Sequence, residues 1–167
     1  MAANRRVRAG IVIAGCICTA LVLLAQTSAQ KEKVVTAHAR GTFDVKMTPQ
    51  PADDKSEGAI GRFTIDKQFH GDLEGTSKGE MLGAGSPTTG SAGYVAMEKV
   101  SGRLQGRTGT FVLQHSGTMH KGTQQLTVTV VPESGTGQLA GLAGTMTIKI
   151  TDGKHFYEFD YTLPENR

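Results

Sequence analysis

From Val34 onward the chain alternates apolar and polar residues with a period of two, in one segment after another, and no window carries a helical stripe. A period of two sends successive side chains to opposite faces, so each such segment is expected to be a strand with one face turned to a core. The pattern predicts eight strands, over 35–47, 60–71, 72–83, 92–105, 108–120, 123–132, 143–151 and 154–163. The links carry turn chemistry: Pro49 and Pro51 in the longest, Gly85-Ser86-Pro87 in another, and Gly106-Arg107, Lys121-Gly122 and Asp152-Gly153 at tight reversals. Eight strands joined mostly by short links are expected to close into an all-β, antiparallel up-and-down barrel, because closure removes exposed edges.

The first thirty residues are of another kind. Arg5, Arg6 and Arg8 precede an apolar run from Ala9 to Ala25, and Thr27-Ser28-Ala29 follows, which is the layout of a secretory signal peptide. The expected organisation is a signal peptide over 1–29 and a single barrel domain over 30–167, exported to the periplasm or secreted. The run is at the low edge of the roughly 17 to 25 residues that cross a bilayer, so an uncleaved N-terminal membrane anchor is the alternative. Ile13-Ala14-Gly15-Cys16 resembles a lipobox, but the apolar run continues past the cysteine. Arg5-Arg6 lacks the residues that usually follow a twin-arginine pair.

This division governs the charge argument. Of 18 basic residues three lie in the leader, which leaves 15 against 15 acidic residues, so nucleic acid is not an expected partner. The only two cysteines, Cys16 and Cys18, lie there as well. The domain is therefore expected to need no disulfide, and the scattered His38, His70, His120 and His155 show no metal-ligand spacing. Neither a metal nor a cofactor is expected.

Strand phase nominates an interior set. The apolar phase carries Phe63, Ile65, Lys67 and Phe69 in the second strand, Tyr94, Ala96, Glu98 and Val100 in the fourth, and Phe111, Leu113, His115 and Met119 in the fifth. The opposite phase, Lys99, Ser101 and Arg103 with Thr110, Gln114, Ser116 and Thr118, suits water. Lys67, Glu98 and His115 are thus expected inside, where an unpaired charge costs several kcal/mol, so they should be paired or face a ligand. A structural network plugging the barrel is the plainer outcome. Ser116 follows His115 directly and so points the other way, which argues against a Ser-His nucleophile pair. The candidate ligand-binding residues are Lys67, Tyr94, Glu98, His115, Tyr157 and Tyr161, set in an apolar wall of Phe63, Phe111, Val128, Met146, Ile148 and Phe159. No phase is assigned to Glu74, Lys78 and Glu80.

In Gly135-Thr136-Gly137-Gln138-Leu139-Ala140-Gly141-Leu142-Ala143-Gly144 the glycines permit a tight path while the leucines tuck beneath the barrel. A phosphate loop is not indicated, since the Lys-Ser/Thr of that motif is missing.

Together with Gly90-Ser91-Ala92-Gly93-Tyr94-Val95-Ala96-Met97-Glu98 and Phe111-Val112-Leu113-Gln114-His115-Ser116-Gly117-Thr118-Met119, this segment resembles an uncharacterised bacterial family, domain of unknown function 3224. The likeness runs from Gly41-Thr42-Phe43 to Tyr157-Glu158-Phe159-Asp160-Tyr161. The resemblance implies a small antiparallel, calycin-like barrel similar to allene oxide cyclase, and it carries over no assigned activity.

Three functions follow as expectations. The first is a small amphipathic molecule bound in the barrel interior, with Lys67 on its anionic or carbonyl group. The second is a cyclase or isomerase using Glu98 and His115, which rests on fold analogy. The third is a ligand-free structural or self-associating domain, which leaves homo-oligomerisation open.

Overall fold

Alternation is strict enough in β1 (Val34–Pro49) that Ala39 and Phe43 are buried while His38, Arg40 and Asp44 are exposed. The computed structural model describes residues 34–51, 54, 56, 58–86 and 88–165. The expected signal peptide, with its arginines and both cysteines, lies outside the described residues. Among these, no helix is long and apolar enough to cross a membrane.

Seven strands follow: β2 (Gly61–Gly71), β3 (Leu73–Ser86), β4 (Ser91–Leu104), β5 (Arg107–His120), β6 (Thr123–Val130), β7 (Ala143–Thr151) and β8 (Lys154–Pro164). Each pairs antiparallel with the next, and β8 returns to β1, giving a closed eight-stranded barrel. All eight expected strands are present, with ends shifted by up to three residues. The turns run through positive φ at Gly106, Gly122 and Gly153, where a side chain would be strained. The seam between β6 and β7 is the sparsest, registered at Thr129↔Thr145 alone among the described residues.

The two ends of the barrel differ. One end carries the β2–β3 and β4–β5 turns, the chain ends of the barrel and the β6–β7 connection, which holds a single 3-10 turn at Gly137–Leu139. Leu139 and Leu142 are buried there, as the glycine spacing predicts, beside Leu73, Leu104, Phe111, Phe159 and Leu163. Gly109 makes the closure possible, since a Cβ at that position would run into the Thr136 carbonyl oxygen. These side chains remove a large apolar area from water and pack one half of the barrel solid. The other end, with the β1–β2, β3–β4, β5–β6 and β7–β8 connections, stays open.

Candidate functional site

Three neighbouring strand pairings bring the polar interior together. Lys67 on β2 lies opposite Ser77 on β3, Gly79 lies opposite Glu98 on β4, and Ala96 lies opposite His115 on β5. A Cβ at Gly79 would sit 2.5 Å from the Met97 carbonyl oxygen, so this glycine lets β3 and β4 meet closely beside Glu98. Lys67, Ser77, Glu98 and His115 are the buried polar side chains of the barrel. Lys67 Nζ donates to Glu98 Oε2 at 2.7 Å, and Ser77 Oγ donates to Glu98 Oε1. His115 Nε2 lies 2.9 Å from Oε2, at ion-pair distance but without hydrogen-bond alignment. The Lys67 ammonium also sits over the Phe43 ring, 4.7 Å from its centre.

Glu98 is fully buried, and burial alone would raise its carboxyl pKa. His115, the Lys67 charge, and the hydrogen bonds from Lys67 and Ser77 outweigh that and bring it down to about 2. The side chain is a fixed anion with both oxygens engaged.

Above this group is a cavity of about 650 Å³, within the usual range of small-molecule sites. Lys67 and His115 are on its wall, among Phe43, Val45, Phe63, Ile65, Met81 and Ile148, while Glu98 stands behind it. Towards the open end the inward phase becomes exposed at Met47, Leu126 and Ile150, which form part of the mouth. Tyr94 lies across Gly117, where a Cβ would collide with its ring. Its phenol pKa is raised, by burial first and then by the charge of Glu98.

The expected set is thus divided. Lys67, Glu98 and His115 converge as strand phase predicts, and Tyr94 joins Lys67 and His115 on the cavity wall. Tyr157 and Tyr161 are buried but not on that wall. The Tyr157 hydroxyl accepts from Leu73 N at 2.8 Å and donates to the His70 carbonyl at 3.3 Å, while Tyr161 donates to Gln105 at 2.7 Å. Both phenols tie the closed end together. Phe111, Val128, Met146 and Phe159 likewise belong to the packed half, leaving Phe63 and Ile148 of the expected wall on the cavity.

Lys99, Ser101, Arg103, Gln114, Ser116 and Thr118 face water as expected, whereas Thr110 is half-buried against Thr136. Glu74, Lys78 and Glu80 point outward and pair with Arg103, Asp66 and Arg62. Two inward-facing residues escape the sequence argument. Ser77 shares the inner phase of Leu73 and Met81, but the intervening Gly75 and Gly79 blank the pattern. His155 lines the cavity with its ring centre 5.0 Å from that of Phe43, in the phase of Tyr157 and Phe159.

Fold and site together define a class: a closed, cup-shaped antiparallel barrel, plugged at one end, with an ion-paired polar floor inside. Residues 39–161 match a family described as a protein of unknown function, DUF3224, and the chain belongs to that family. A solved structure from Shewanella oneidensis MR-1, of a protein with unknown function from the same family, is similar at 48% identity and a TM-score of 0.74. The similarity covers 79% of this chain and 100% of that one. No curated protein matches.

Proposed function

We propose that the barrel is a receptacle for a small amphipathic molecule, whose polar end reaches Lys67 and His115 while its apolar body lies along the upper wall. The observation carrying this reading is the open cavity of about 650 Å³ that ends on buried ionisable side chains. A merely structural network needs no space above it, so the cavity weighs against a barrel packed shut. The Arg-rich, apolar leader supports an exported protein, periplasmic or secreted, or one anchored by that segment if it is not removed.

A cyclase or isomerase is the second reading, favoured by the 2.9 Å between His115 and Glu98. Glu98 is poorly suited to exchanging protons near neutrality, because its pKa is about 2 and its oxygens are engaged. Proton transfer would fall to His115, with Glu98 as its partner. The expected resemblance to allene oxide cyclase would add only fold analogy.

Native mass spectrometry of protein purified from its own host tests the proposal. A small added mass that is lost on denaturation is expected, and bare polypeptide alone would contradict it. Conversion of that molecule, abolished by His115→Gln with binding retained, would establish the second reading.

A further inference from the structure

The hydrogen-bonding capacity left over at the floor of the cup says what kind of group it takes. Both oxygens of Glu98 are already used, Oε1 by Ser77 and Oε2 by Lys67 with His115 close by. Lys67 carries three N–H donors and spends one of them on Glu98. The ammonium also lies over the Phe43 ring and, farther off, 5.7 Å from the centre of the Phe69 ring. Tyr94 is half-buried on the cavity wall, and its hydroxyl has no hydrogen-bond partner among the described residues.

The ionisable groups on the cavity wall repeat this bias. Among the described residues they are Lys67, His115, His155 and the Tyr94 phenol, with no carboxylate. Glu98 is buried behind the wall, where it balances the Lys67 charge.

We propose that the floor of the cup recognises an acceptor-only, singly charged carboxylate at one end of an apolar chain, held by Lys67 Nζ and Tyr94 Oη. An ammonium would meet Lys67 without an available acceptor and would be repelled. A neutral alcohol brings no charge of its own to the contact with Lys67, and its hydroxyl proton meets Glu98 oxygens that are already engaged. With the Lys67 charge already balanced by Glu98, the second negative charge of a doubly charged head group would find no cation to meet it. His115 and His155 add favourable charge whenever their rings are protonated. This inference rests on the receptacle reading and specifies its ligand.

Calorimetric titration of the protein with dodecanoate, dodecan-1-ol and dodecylammonium, which share one apolar chain, tests it. Dodecanoate is expected to bind at least about tenfold more tightly than the alcohol, as a charge-assisted hydrogen bond implies, with the ammonium weakest. Lys67→Met would strand Glu98 and is a poor probe, so Tyr94→Phe is the variant to use. It should retain the fold and weaken dodecanoate by roughly ten- to a hundredfold, the loss of one hydrogen bond to a charged acceptor. Equal binding of dodecanoate and dodecan-1-ol, or tightest binding of the ammonium, would overturn the carboxylate assignment while leaving the receptacle intact. Failure of all three to bind would remove both.

Discussion

Glu98 and Lys99 are neighbours in sequence and opposites in environment, the first fully buried and the second exposed. Glu98→Ala is expected to cost about 3 to 5 kcal/mol, because it strands the Lys67 ammonium inside the barrel, whereas Lys99→Ala should stay within about 0.5 kcal/mol. Equal effects in chemical denaturation would show that the pairing is not holding the interior together. The low pKa of Glu98 adds a pH signature. A carboxyl depressed from 4.5 to about 2 stabilises the fold fully above the unfolded value, and that contribution is lost as pH falls through the folded value. The stability gap between the wild type and Glu98→Gln should therefore be on the order of 3 kcal/mol near neutrality and shrink between about pH 5 and pH 2. A gap that does not change with pH would contradict the linkage.

At the scale of strands, glycines decide how closely the walls approach, and two of them give opposite expectations. A Cβ at Gly79 would press on the β4 backbone beside Glu98, while one at Gly93 would find its nearest neighbour, the Gly117 carbonyl oxygen, at 3.8 Å. Gly79→Ala should destabilise by about 1 to 3 kcal/mol, as overpacking does, and Gly93→Ala should be neutral or slightly stabilising because it restricts the unfolded chain. Thermal unfolding of the two variants side by side checks this, and a tolerated Gly79→Ala would mean that β3 and β4 can part at no cost. The same scale explains what could be read in advance. Alternation assigns a face to each residue, so the inward placement of Lys67, Glu98 and His115 was legible from β2, β4 and β5. It assigns no depth along the barrel, so Tyr157 and Tyr161, correctly inward, could not be told apart from residues at the open end. Where glycine occupies the inner phase, as around Ser77, even the face goes unmarked.

Across the whole molecule, the asymmetry between the two ends turns a barrel into a cup. The glycine-rich connection plugs one end with Leu139 and Leu142, the Lys67-Glu98-His115 group forms a floor above the packed half, and the wall beyond it is mainly apolar. That division of a single interior was not available from periodicity, since it depends on which strand ends the long connection folds beneath. A heteronuclear NMR titration of the protein with dodecanoate tests the resulting account most directly. The account predicts saturable shifts concentrated at Lys67, Tyr94, His115 and Gly117 and along the upper wall at Phe63 and Ile148, with outward residues such as Lys99 and Gln114 unmoved. Shifts confined to the outer surface, or none at concentrations where dodecanoate remains monomeric, would contradict it.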